Sequence, residues 1–154
     1  MSAAAQAGGK AAVFQFELRH GDLVPGAPQK LEAEQQRIRL VTDRLRDHFA
    51  QSGYAVADMK AVAAKAAALN LDSCTACAAD LAQKAGADYA VTGTVYRVSE
   101  LVLSMNVRVY DAATGNPLSS AVVDMRGNTD ESWTRAVDYL YRRMLAPRLE
   151  KIAQ

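Results

Sequence analysis

Residues 70–111 read NLDSCTACAADLAQKAGADYAVTGTVYRVSELVLSMNVRVYD, and the fold class follows from how this stretch divides. Its first part predicts a helix over about Cys74 to Ala85. Asp72 or Ser73 can accept from the free amides of the first turn, Asp80 lies near the positive end, and Gly86 suits a left-handed cap. Its second part predicts two strands, Tyr89 to Val98 and Leu101 to Tyr110, both rich in β-branched residues and joined near Ser99 and Glu100. On the second strand Leu101, Leu103, Met105, Val107 and Val109 share one face, and Val102, Ser104, Asn106 and Arg108 share the other.

The turn DAATGNP (Asp111 to Pro117) leads to a last strand, Leu118 to Met125, completing an antiparallel meander. Asn128 then reads as the cap of a final helix, with Glu131 in the reciprocal third position. Trp133, Val137, Leu140, Tyr141 and Met144 form its apolar stripe, and Pro147 is expected to stop it.

Upstream, AAVFQFEL (Ala11 to Leu18) reads as one buried strand, followed by a Gly/Pro-bearing loop from Arg19 to Gln29. Leu31 to Gln51 predicts the longest helix, with Ile38, Val41, Leu45 and Phe49 along one face and Gly53 at its end. Arg37, Arg39, Arg44, Arg46 and Asp47 on its other face read as solvated. Tyr54 to Val56 predicts a short strand, and the Ala-rich Met59 to Leu69 a peripheral helix.

At 154 residues, half of them hydrophobic, the chain supports one domain. The expected architecture is a single α/β domain over residues 11–146, with a mixed sheet of about five strands, an antiparallel C-terminal meander and helices packed mainly on one face. Residues 1–10 read as a flexible N-terminus and 147–154 as a weakly specified tail. Eighteen basic residues against seventeen acidic ones give a formal net charge of +1, and no basic run gathers aromatic residues, so nucleic acid is not an expected partner. No apolar run approaches the roughly 20 residues of a membrane span. The opening MSAAAQAGGK carries Ala-x-Ala spacings at Ala3/Ala5 and Ala5/Ala7 without the charged and apolar regions of a signal peptide. It reads as a start Met and Ser replacing a native leader, with an Ala-rich cytosolic terminus as the alternative.

Cys74 and Cys77 are the only cysteines. Three apart on a helix, their Cα atoms lie roughly 5 to 6 Å apart, within the span of a disulfide. A structural disulfide is one reading. A redox dithiol is the second, with Cys74 at the helix start as nucleophile and Cys77 resolving. Metal or haem is the third, but Ala78 stands where covalent haem needs His, and His20, His48 and scattered carboxylates do not make up a zinc set. No cofactor is expected.

Arg126, Asn128, Thr129, Asp130 and Glu131 form a second constellation. Amides at a helix start beside an Arg can hold an anion or a partner carboxylate, against which stands ordinary helix capping. Asp111, Asp124, Asp130 and Glu131 match no calcium loop. Trp133 and the tyrosines read as core residues, and neither histidine has a Ser or Cys partner at the spacing of a hydrolytic triad.

The cysteine pair, the GAD before a strand (Gly86, Ala87, Asp88) and the segment RGNTDESW (Arg126 to Trp133) resemble an uncharacterised family of secreted bacterial proteins, classed as a domain of unknown function. The likeness runs from about Ala11 to Leu145. It implies export to the periplasm and assigns no activity. The order of elements is also similar to the amino-terminal domain of TolB and to the curli-secretion lipoprotein family, which raises the expectation of a domain that works by protein contact. The functional expectation is a periplasmic, non-enzymatic accessory or binding protein engaging a protein or small ligand at the sheet edge or around the cysteine helix. The alternative is a thiol-disulfide protein. Self-association through an open edge of the meander is a further expectation.

Overall fold

The computed structural model describes residues 9–20, 28–69, 71–98 and 102–153. The residues expected to form the N-terminus before Gly9, most of the Gly/Pro loop, and the Ser99/Glu100 junction lie outside them. The described chain is a single mixed α/β domain. Its strands are β1 (Lys10–Val13), β2 (Glu17–His20), β3 (Ala55–Val56), β4 (Tyr89–Arg97), β5 (Val102–Asp111) and β6 (Pro117–Arg126). The sheet runs β3-β1-β4-β5-β6, and β2 also pairs with β4. Pairs among β1 to β4 are parallel, whereas β4–β5 and β5–β6 are antiparallel, as the meander required.

Helix α1 (Pro28–Gln51) lies over one sheet face, together with α4 (Asp130–Tyr139), a π-helical turn (Leu140–Leu145) and α5 (Ala146–Ala153). Ile38, Val41, Leu45 and Phe49 meet Leu103, Met105, Val107, Val109, Trp133 and Leu140 there, each at most 1 % exposed. The opposite, outer face is covered only in part, by α2 (Ala63–Ala67) and α3 (Thr75–Lys84) over Ala12, Phe14, Ala90 and Tyr110. Alternation along β1 and β4 supplies both cores: Ala11, Val13 and Val91 face one, Ala12, Phe14 and Ala90 the other.

The expected first strand, Ala11 to Leu18, is interrupted. Val13 pairs with Val91 and Glu17 with Thr94, so Phe14, Gln15 and Phe16 stand opposite only Thr92 and Gly93. This is a bulge, and Arg19 and His20, expected in the loop, continue it as β2. The outward carbonyls of Gly9 and Ala11 accept from Ala55 and Ala57, but β3 ends there. Beyond that end Val13 O takes Arg46 Nη2 and Nε at 2.8 and 3.2 Å, and Phe16 N–H donates to Thr42 Oγ1 at 3.0 Å. Side chains of α1 thus satisfy the edge where a longer β3 would have done so.

Three local expectations are corrected. Cys74, not Asp72 or Ser73, is the N-cap of α3, because Leu71–Ser73 forms a 3₁₀ turn, and Asp80 pairs with Lys84 in mid-helix instead of serving the first turn. Thr129, not Asn128, caps α4, with Ser132 as its reciprocal partner and Glu131 turned to Arg135. Pro147 does not stop the final helix. The π-helical turn widens the preceding backbone, so an amide-less residue is accommodated and α5 continues with Leu149 buried.

Candidate functional site

Cys74 and Cys77 are joined as a disulfide with Cα atoms 5.3 Å apart, the separation expected from helical spacing. Cys74 Sγ also accepts from the Cys77 amide at 3.2 Å, so the sulfur takes the capping role a Ser or Asp would fill. The disulfide is thus part of the start of α3. Two residues inward, Ala78 and Ala82 are fully buried against the outer-face core. Nothing in this arrangement favours the redox reading over a structural bond.

The Arg126 to Asp130 segment is organised by residues that the sequence reading did not single out. Glu34, on α1, has no exposed surface, and its Oε2 lies 3.2 Å from Arg97 Nη1, whose side chain is 2 % exposed. Asn128 Nδ2 donates to the same carboxylate oxygen at 2.7 Å. Asn128 Oδ1 accepts from Trp133 Nε1 at 2.8 Å and from Arg37 Nη1 at 3.1 Å, while Arg37 Nε reaches Asp130 Oδ1 at 2.9 Å. Asn128 therefore joins α1, the end of β4 and the start of α4 through its side-chain amide. Among the described residues Arg97 Nε finds no acceptor. Arg126 is exposed at the end of β6 and takes no part; Thr129 is committed to its cap.

The remaining arginines of α1 also depart from a purely solvated face. Arg44 makes a two-point contact with Asp138 at 2.6 and 2.8 Å, and His48 Nε2 meets the same carboxylate at 2.7 Å. The Arg44 hydrogen bond, reinforced by His48 against some loss of hydration, holds the Asp138 carboxyl below its ordinary range. Tyr141 stacks on the His48 ring and donates to Ser52 Oγ at 2.7 Å; burial pushes its phenol up.

The four expected carboxylates do not converge. Asp111 accepts from Ala113 and Thr114 in the turn, Asp130 and Glu131 hold arginines, and Asp124 stands exposed on β6. Among the described residues, no group of three or more His, Cys, Asp or Glu could hold a metal ion, and no helix is long and apolar enough to cross a membrane.

What remains accessible is the outer face of β5 and β6. The cross-strand pairs Val102/Arg126, Ser104/Asp124, Asn106/Val122 and Arg108/Ser120 point away from α1 and α4. Val98, Val102 and Val122 are 63, 37 and 50 % exposed, and Asn106 Oδ1 is a buried acceptor without a donor among the described residues. Toward α3 this face opens into a hollow of about 470 Å³ lined by Thr75, Arg108, Tyr110 and Pro117 to Ser120. The free edge of β6 is partly closed: Arg148, from α5, donates to the Ser120 carbonyl.

A mixed sheet with long helices on one face and an antiparallel C-terminal meander is a fold found among solved small α/β domains. Lipoprotein GNA1162 from Neisseria meningitidis has this fold, with a TM-score of 0.53 at 16 % identity over 95 % of this chain and 97 % of that one. PelC from Paraburkholderia phytofirmans, solved as a dodecamer, matches at 0.53 and 14 %, covering 90 % of this chain and 89 % of its own. The C-terminal domain of LpoB from Escherichia coli matches at 0.52 and 16 %, covering 76 and 82 %. These likenesses establish the fold. The chain belongs to the family described as "Protein of unknown function (DUF2380)", whose model matches residues 9–145. No curated protein matches it in sequence.

Proposed function

We propose that this protein is a non-enzymatic accessory protein of the periplasm that engages a partner protein through the outer face of β5 and β6. The observation that carries the reading is the contrast between the two faces of one meander. Leu103, Met105 and Val107 are sealed under α1 and α4, whereas Val98, Val102 and Val122 on the other side are left to solvent. By register the Ser104/Asp124 pair lies between Val102 and Val122, so the exposed valines interleave with polar and charged side chains, the mixed composition of a non-obligate protein contact surface. A formed disulfide suits an oxidising compartment. Similar folds in a lipoprotein and in a protein that assembles as a dodecamer support a role exercised through contact.

A photo-crosslinking amino acid at Val122, compared with one at exposed Arg39 on α1, tests this in the host cell. A discrete adduct with one envelope protein from position 122 and not from position 39 is expected. Adducts with chaperones alone, or equal yields from both positions, would overturn the reading.

A further inference from the structure

The two sides of the sheet are finished differently. Beyond the end of β3, side chains of α1 take the carbonyl of Val13 and the amide of Phe16. On the other side β6 is the terminal strand, ten residues long, and its pairing fixes which of its backbone groups face outward. Val98 N–H donates to Val102 O at 3.0 Å, so Val102 directs its backbone toward β4. In an antiparallel pair that direction alternates by residue. Leu103, Met105 and Val107 therefore turn theirs toward β6, where they meet Met125, Val123 and Ala121. It follows that Ser120, Val122, Asp124 and Arg126 turn N–H and C=O to the free edge.

Arg148 donates to the Ser120 carbonyl, in agreement with this alternation, and closes that end of the edge. Among the described residues, Val122 and Asp124 have no backbone hydrogen bond beyond the strand. Long sheet edges in natural proteins are covered, shortened or broken, and an uncovered one is a template for a further strand. The unpaired stretch is thus Val122 to Arg126, and it borders the outer face of β5 and β6.

We propose that the partner protein docks by adding one extended segment antiparallel to β6, paired over Val122 to Arg126. The inference rests on the reading of the β5–β6 face as the partner contact and names the form the partner takes there. An extended backbone offers donors and acceptors at the two-residue repeat that this edge presents. Toward the outer face the edge carries Val122, Asp124 and Arg126 in turn. An antiparallel segment is matched to it by an acid opposite Arg126, a base opposite Asp124 and a β-branched residue opposite Val122. Charge pairs so exposed set register and partner choice more than affinity. A second copy of this chain is a worse match. Two-fold pairing over the same stretch centres on Asp124 and sets that carboxylate against its own copy, a destabilising juxtaposition. A shift toward the start of β6 would need the Ser120 carbonyl, which Arg148 holds.

Photo-crosslinking amino acids placed singly at Val122, Asp124 and Arg126 of the full chain, in the host cell, test the proposal through the peptides they label. The three positions should label one segment of one envelope protein, in descending order along it as the edge is followed from Val122 to Arg126. Val122→Pro removes an edge N–H and spares the β5–β6 ladder. It should lower the adduct from position 126 about tenfold, the effect of leaving one partner carbonyl without its donor. Val122→Thr keeps both the N–H and the β-branched shape and should lower the same adduct by less than about twofold. If Val122→Pro does not melt cooperatively, the order of the crosslinks decides alone. Labels scattered over separate segments, or equal losses from equally stable Pro and Thr variants, would overturn the added strand and leave the accessory role standing. Adducts with a second copy of this chain would overturn it in favour of self-pairing. No envelope adduct from any of the three positions would remove both readings.

Discussion

Phe16 lies across Gly93 so closely that a Cβ on residue 93 would sit 2.6 Å from the ring. The contact is a product of the bulge. The extra residue between β1 and β2 swings Phe16 over β4, and only a glycine beneath leaves room for the ring. Gly93→Ala should destabilise the protein by about 1 to 3 kcal/mol through overpacking. Urea unfolding measures the loss, and combination with Phe16→Leu should restore part of it, a coupling confined to residues in contact.

Asn128 and Thr129 adjoin in sequence and divide two tasks. Thr129→Ala removes one capping bond from α4 and should cost about 1 kcal/mol. Asn128→Ala leaves Trp133 Nε1 without its acceptor and removes a donor from buried Glu34. Its cost should be the larger, about 2 to 4 kcal/mol, accompanied by a changed Trp133 emission spectrum. A larger loss from Thr129→Ala would show that capping dominates here.

Glu34 and Arg97 are a buried pair, and removal of one partner strands the other's charge. Glu34→Leu or Arg97→Met alone should lose about 3 to 5 kcal/mol, and the double variant should lose less than the sum. Thermal unfolding of the four members of the cycle reads the coupling directly.

Asp138 makes stability depend on acid. Its folded-state pKa lies below the ordinary value of 3.8, chiefly through the Arg44 hydrogen bond. The stabilisation is therefore fully present above pH 3.8 and disappears as pH falls through the lower, folded-state value. Asp138→Asn should flatten that part of the acid limb of a stability–pH curve. A limb of undiminished steepness would locate the acid sensitivity elsewhere.

The sequence by itself determined the elements whose signals are local. Period-two alternation from Leu103 to Val109 and the 3.6-residue spacing of Ile38, Val41, Leu45 and Phe49 placed β5 and α1 and chose their buried faces. The three-residue spacing of Cys74 and Cys77 placed both on one turn, which made their pairing legible. Tertiary structure decided whatever depends on partners distant in the chain. The bulge at Phe14 to Phe16 depends on Gly93, Thr42 and Arg46; no local pattern in AAVFQFEL announces it. Glu34 reads as one more acid on a charged helix until Arg97 and Asn128, 63 and 94 residues away, enclose it. Asn128 has the right chemistry for a helix cap, but its amide is drawn into that cluster and Thr129 caps instead. Pro147 likewise ends a helix by its own covalent geometry and is carried through here because the turn before it widens and Leu149 has a core to enter. Local sequence fixes periodicity, since periodicity is geometry of the backbone; it cannot fix which polar group a buried polar group will meet, since that is settled only when the layers close.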